Sequence, residues 1–211
     1  MATTANLRMT KAERTREAVL AAAEDLFSER GYDATSLSAI GERAGIQGSA
    51  ILYHHSSKRE LYEAVLDRMF APLFDEVGRH LARDDSLADR LGAITSTMVR
   101  FAAARPAAAR LVLRESVAFG EAVDIVGTAS QRRWAQFIDA LAAEHDAGFD
   151  PLVVWNIVVG AICFYFAAGP TVGGLTHDPR DPHRVEQFES RMIHVTHTLC
   201  GFDTHQPDPS T

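Results

Sequence analysis

The residues of this chain best suited to chemistry lie between Ser36 and Lys58. In AGIQGSAILYHHSSKREL, residues 44–61, small side chains surround Gln47, Ser49, Tyr53, the adjacent His54 and His55, and one of the two lysines in the chain, Lys11 and Lys58. Amide, hydroxyl, imidazole and ammonium groups carried on a short helix suit base edges and phosphate oxygens. The sequence has no GxSxG, phosphate loop, HExxH or dinucleotide fingerprint, and nothing pairs a nucleophile with a base. Neither an enzyme nor a cofactor is expected. His54 and His55 read as surface histidines of a groove. His194 and His197 lie at i and i+3, and a metal site would need His177, Asp178 or His183 from a loop. No third ligand is fixed by spacing, so no metal is expected. A metal-responsive sensor using these histidines, or a helical enzyme with Glu115 as an acid in a pocket, is the second reading.

Helices must position the 36–58 cluster. A first helix from about Thr10 to Glu29 lines Val19, Ala22, Ala23, Leu26 and Phe27 along one face, and Gly31 ends it. Thr35 or Ser36 can cap a second helix, Leu37 to Ala44, which Gly45 breaks. A short helix from Gln47 to about His55 follows, and Ser56-Ser57 cap a longer one running from Lys58 past Phe70. Ile40, Ala44, Ile46 and Ile51 are spaced to share a small core. Two short helices about a tight turn make a helix-turn-helix, whose second helix can enter the DNA major groove. At the start of the next helix, Lys58 adds its charge to the positive end of the helix dipole, where a phosphate can sit.

The remaining pattern is helical as well: Ser86–Arg105, Pro106–Phe119, Ala122–Glu144, Pro151–Ala168 and Val185–Leu199, with a Gly-, Pro- and Asp-rich loop over 169–183. The fold class is all-α. Residues 12–72 form a three-helix helix-turn-helix domain, 73–202 a larger helical domain, and 203–211 a polar, disordered tail.

Composition agrees with a soluble chain: 46% of the 211 residues are apolar and 23% charged. Cys163 and Cys200 lie in apolar surroundings without metal-ligand spacing, and the first residues lack the apolar core of a signal peptide, so a reduced, cytoplasmic protein is expected. LVVWNIVVGAICFYFAAG, 152–169, is uncharged, but Asn156 interrupts it and no basic residue follows until Arg180. It reads as a buried helix and not as a membrane span. The formal net charge of −7 does not argue against nucleic acid. Residues 1–70 are nearly balanced, with 9 basic and 10 acidic side chains, and the acidity lies beyond them.

TREAVLAAAEDLFSERGYDATSLSAIGERAGIQGSAILYHHSSKRELYEAVL resembles the N-terminal domain of TetR-family transcriptional repressors over about residues 12–70, with the family spacing from Leu26-Phe27 to Gly31, Thr35, Ala44-Gly45 and Lys58. Carried over by position, the resemblance implies DNA contacts from Ser36, Ser38, Gln47, Gly48, Ser49, Ala50, Tyr53, His54 and Lys58. Where the family has a phosphate-contacting Tyr, seven residues after the turn glycine, this chain has Leu52, with Tyr53 beside it. An apolar aromatic usually closes the turn into the fourth helix, and here His55 stands in its place.

The resemblance also implies that 73–202 is a ligand-binding and dimerisation domain, and that the chain acts as a homodimer on a palindromic double-stranded operator. For the seam, Asn156, Gly160, Cys163 and Ala167 form a narrow face of small residues, and Val185, Phe188, Met192, Val195 and Leu199 an apolar stripe. Two such helices from each subunit would make a four-helix bundle. By the family layout, Phe101, Leu111, Phe119, Trp134, Phe137, Trp155 and Phe164 enclose an effector cavity with Arg114 and Glu115 among its few polar groups. A small hydrophobic or aromatic molecule would fill it and release the DNA.

Overall fold

The structure is a computed structural model that describes residues 10–116, 129–143, 148–168 and 178–202. Those residues contain nine helices and no strand. They fall into two compact units, residues 1–66 and 67–211.

The first unit holds α1 (Lys11–Arg30), α2 (Leu37–Ala44), α3 (Gly48–Ile51) and the opening turns of α4 (Lys58–Leu81). Thr10 and Glu13 form a reciprocal capping box: the Thr10 hydroxyl oxygen accepts from the Glu13 amide at 3.2 Å, and the Glu13 carboxylate accepts from the Thr10 amide at 2.6 Å. Ser36 caps α2 by accepting from Ala39 N at 3.1 Å. Thr35 turns back instead, and its hydroxyl donates to the Gly31 carbonyl at 2.7 Å. The expected α1 face, Val19, Ala22, Ala23, Leu26 and Phe27, is buried. Phe27 and Tyr32 both pack on the Tyr62 ring, at 4.8 and 5.0 Å between centroids.

One helix is shorter than its sequence reading. The helix expected from Gln47 to about His55 is the single turn Gly48–Ile51, followed by a turn in which the amides of His54 and His55 both donate to the Ile51 carbonyl at 2.9 Å. Gly48 supplies little helix propensity, and sharing the Ile51 carbonyl closes the element early.

The second unit contains the rest of α4, then α5 (Leu87–Ala104), α6 (Pro106–Ser116), α7 (Ala129–Ala143), α8 (Pro151–Ala168) and α9 (Pro182–Leu199). Residues 117–119, 122–128 and 144 of the expected helices lie outside the described residues, as do 169–177 and the 203–211 tail. Helix α9 starts earlier than expected, because Asp181 caps it by accepting from Arg184 N at 3.2 Å and Pro182 fits its first position. The main packing is α5 on α9 and α6 on α8. Glu189 ties the first pair, accepting from Ser96 Oγ at 2.7 Å and Arg100 Nε at 2.9 Å.

By length and composition alone, α8 is apolar enough to cross a membrane. Its buried positions, Val158, Ile162, Cys163 and Phe166, make one stripe, while Leu152, Val153, Ile157 and Phe164 are exposed.

Candidate nucleic-acid interface

Two glycines set the geometry of the helix-turn-helix. A Cβ on Gly41 would stand 2.7 Å from the Gly48 amide nitrogen and 2.8 Å from the Ile46 carbonyl oxygen. A Cβ on Gly48 would stand 3.0 Å from both the Leu37 carbonyl oxygen and the Ser38 Cα. The backbones of α2 and α3 therefore touch, and Gly45 makes the intervening turn at φ 72°, in the left-handed region. Ile40 and Ile51 fill the angle between the helices with no exposed surface, whereas Ala44 and Ile46, expected beside them, are half-buried.

With Gly48 and Ile51 facing inward, the other α3 positions turn out. Gln47, Ser49, Ala50, Leu52 and Tyr53 are exposed, and Tyr53 stands furthest out at 88%. The Tyr53 ring meets His54 edge to face at 5.3 Å. Ser36 and Ser38 are exposed on α2. Ser36 uses an acceptor pair on its cap, and its hydroxyl proton remains able to donate. Gly48, carried over as a DNA contact, is half-buried, with its backbone packed against Leu37 and Ser38.

Lys58 lies beside Tyr32 and Asp33, a setting that its position in the sequence does not announce. Its Nζ is 4.2 Å from the centroid of the Tyr32 ring and 3.3 Å from the Asp33 carbonyl oxygen. Next to it, Ser57 Oγ accepts from Glu60 N at 3.1 Å, and the Glu60 carboxylate accepts from Ser56 N at 2.7 Å. A second hydrogen bond, from the Ser56 hydroxyl to the same carboxylate, acts with the first to hold the Glu60 pKa below the usual carboxylate value, the hydroxyl contributing more.

His55 corrects the sequence reading. It is not a groove histidine but a core residue, 2% exposed, whose Nε2 has no hydrogen-bond partner. Burial lowers its pKa, and the nearby Arg16 charge lowers it further. Burial without a partner for Nε2 disfavours the charged form of the ring. His54, half-buried, remains at the surface.

In the second unit, the residues expected around an effector divide into groups. Trp134, Phe137 and Trp155 form one aromatic cluster with Phe74: Trp134 is 4.1 Å from Trp155 and 4.6 Å from Phe74 between ring centroids. Phe137 and Trp155 also line a small cavity with Ile94, Met98, Thr95 and Thr196. Leu111 is buried, Phe101 packs on Phe70, and Arg114 is exposed. The Glu115 side chain and all of Phe119 lie outside the described residues. Phe164 is a correction: 49% exposed, it faces away from the buried stripe of α8.

The expected seam also divides. Asn156 and Gly160 are exposed, and a Cβ on Gly160 would meet nothing within 4 Å. Ala167 and Leu199 are half-buried, and Val195 is 36% exposed. Cys163 and Met192 face inward, at 7% and 5% exposure, and Phe188 stacks on Tyr165 of its own chain at 3.9 Å. The exposed line on α8 is thus Val153, Ile157, Gly160 and Phe164, about 100° around the helix from the line through Cys163. Burial raises the Cys163 pKa to about 11, so it stays a thiol. On α9, His197 Nε2 lies 2.9 Å from the Ala88 carbonyl oxygen.

Residues 19–65 match the family model of bacterial regulatory proteins, tetR family. The HTH-type transcriptional repressor BepR of Brucella suis biovar 1 is 38% identical over 81 residues, covering 37% of this chain and 38% of BepR. The HTH-type transcriptional regulator TtgR of Pseudomonas putida is 38% identical over 87 residues, covering 40% of this chain and 39% of TtgR. The match thus spans about two-fifths of the length of each of these relatives. Of solved structures, the transcriptional regulator FadR from Bacillus subtilis, in complex with stearoyl-CoA, superposes with a TM-score of 0.63 over 85% of this chain and 96% of that one, at 12% identity. That likeness is one of fold. With its helix-turn-helix and the sequence match at 19–65, the N-terminal segment of the chain is similar to the DNA-binding domain of bacterial regulatory proteins of the tetR family.

Proposed function

We propose that the protein is a cytoplasmic transcriptional repressor that binds a palindromic operator as a homodimer and is released by a small hydrophobic effector. The observation that carries the DNA reading is the close contact of α2 and α3 at Gly41 and Gly48. It holds α3 as a rigid projection with Gln47, Ser49, Ala50 and Tyr53 outward. In this reading Gln47 and Ser49 make polar contacts to bases, with Ser38, while Ser36, His54 and Lys58 hold phosphates and Tyr53 faces the DNA beside them. The DNA-binding domain covers about 12–72 and the regulatory domain 73–202.

Dimerisation is supported by the exposed apolar line of α8, Val153, Ile157 and Phe164 around Gly160, with Val195 of α9 also exposed. Surface of this kind seeks a partner. A second copy brings two α3 helices to half-sites one DNA turn apart, about 34–36 Å. An apolar effector is supported by the aromatic cluster of Phe74, Trp134, Phe137 and Trp155. FadR of Bacillus subtilis, of similar fold, binds stearoyl-CoA. An effector that fits better when the regulatory helices shift favours a different spacing of the two α3 helices and loosens the DNA.

The test is selection of bound duplexes from a random pool by the full-length protein, followed by sedimentation of the complex. A palindromic motif bound by two chains is expected. A pool without enrichment overturns the DNA reading, and enrichment of an asymmetric site bound by one chain overturns the dimer.

A further inference from the structure

We infer that the outward end of α3, formed by Ala50, Leu52 and Tyr53, reads the 5-methyl groups of thymine in the major groove. The inference rests on the DNA-binding reading and adds to it the chemistry of recognition.

Exposed apolar side chains are common on any protein, and a single one means little. Their distribution here is uneven. Among the described residues of the first unit, the large hydrophobic side chains that are exposed are Leu52, at 47%, and Tyr53, at 88%. They are consecutive, and the exposed Ala50 lies beside them. The elements behind them explain the orientation. Gly48 presses its backbone on Leu37 and Ser38, and Ile51 and His55 are buried, so these three residues mark the inner side of the turn. Ala50, in the single turn of α3, and Leu52 and Tyr53, in the turn that follows it, are exposed beyond these inner residues.

This surface carries no charge and offers one hydroxyl, at the tip of Tyr53. The polar groups available for base edges, those of Gln47 and Ser49, lie towards the start of the turn. In the major groove, base-pair edges present donors, acceptors and one apolar group, the thymine methyl. An apolar surface entering that groove gains by covering methyls and loses by covering unpaired donors or acceptors. Covering one methyl is worth about fourfold in affinity, taking the ordinary burial value of a CH₂ group.

Uracil lacks the methyl of thymine and is otherwise identical at its edges, so it isolates this contact. In the selected operator, each thymine is replaced in turn by deoxyuridine, and the full-length protein is titrated at one salt concentration. One or two thymines in each half-site should show a loss of about fourfold for the wild type. Leu52→Ser and Tyr53→Ser, both at exposed positions that leave the core intact, should bind thymine and uracil duplexes equally at the position each one covers. Tyr53→Phe should keep the methyl sensitivity, because the ring makes the contact. A Tyr53 that serves only a phosphate would instead make Tyr53→Phe weaker on both duplexes alike, with no change in uracil sensitivity in Tyr53→Ser. Absence of any uracil-sensitive position, or sensitivity unaltered in both serine variants, overturns the inference while leaving DNA binding in place. Failure to enrich any duplex overturns the DNA reading and this inference together.

Discussion

The Lys58 ammonium stands 4.2 Å from the centre of the Tyr32 ring while the Asp33 carbonyl oxygen holds it at 3.3 Å. Both contacts fix a flexible side chain at the first turn of α4, where the helix dipole is positive. A cation restrained in this way needs less ordering when it meets a phosphate. Lys58→Ala should therefore weaken operator and scrambled duplexes by a similar factor and flatten the salt dependence of binding by about one unit of log–log slope. Titrations of both duplexes at several salt concentrations check this. An unchanged slope would remove Lys58 from the interface.

Acid stability should report on His55. Its folded-state pKa lies below the ordinary 6.5, chiefly because the ring is buried, with Arg16 adding to the effect and Glu60 opposing it. The unfolded chain then binds the proton first. Stability contributed by the neutral ring is present above about pH 6.5 and is lost as pH falls from there through the folded pKa. Thermal unfolding of wild type and His55→Phe between pH 5 and 8 tests it. The variant should lose less stability on the acid side, since a phenyl ring fits the same apolar space and takes no proton. Parallel pH profiles would refute the assignment.

Gly41 and Gly45 should fail for different reasons when replaced by alanine. At Gly41 the added carbon meets the Gly48 backbone at 2.7 Å, so α2 and α3 must separate, at a cost of about 1–3 kcal/mol and with loss of operator affinity in the protein that still folds. At Gly45 the added carbon meets nothing, but the φ of 72° costs roughly 1–2 kcal/mol while leaving the helix spacing intact. Denaturant unfolding and operator titration of the two variants separate the effects.

Gly160→Leu and Phe164→Glu should give folded monomers. Both positions face out of their own subunit: a Cβ on Gly160 meets no atom within 4 Å, and Phe164 is 49% exposed. Leu at the exposed Ala82 is the control, expected to leave the dimer intact. Sedimentation of the three variants decides the matter, and intact dimers in all of them would move the interface off α8.

Trp134 and Trp155, 4.1 Å apart, are the chain's two tryptophans. An effector entering their cluster should change their emission over the concentrations that release the operator. Saturating operator should weaken effector binding by the same factor, because the coupling is reciprocal. A molecule that changes emission but leaves operator affinity untouched occupies the cluster without acting as inducer.

The helix-turn-helix was readable because local signals carry it. Gly31 and Gly45 end helices, Ser36 caps one, and the α1 face repeats at helical spacing, and each was found where its chemistry places it. His54 and His55 look alike as residues, and it is the turn after α3 that buries the second; its place where an apolar aromatic usually stands is the sign of this in the sequence. Helix α8 was harder still. It is apolar around its whole circumference, so its periodicity does not reveal which side faces the core. The line of small residues expected for the seam holds Asn156 and Gly160, which are exposed, and Cys163, which is buried, while the exposed Ile157 lies outside it.

The contact between Gly41 and Gly48 also bears on how such a protein changes its target over evolutionary time. A side chain at either position would push the recognition turn off its support, so neither is free to vary with the DNA. Gln47, Ser49, Ala50, Leu52 and Tyr53 rest on nothing that their replacement would dislodge. If the protein reads DNA as proposed, its preference can drift through those five positions while the scaffold that presents them stays fixed, and a duplicated copy of this chain could acquire new target sites without first having to survive a loss of folding.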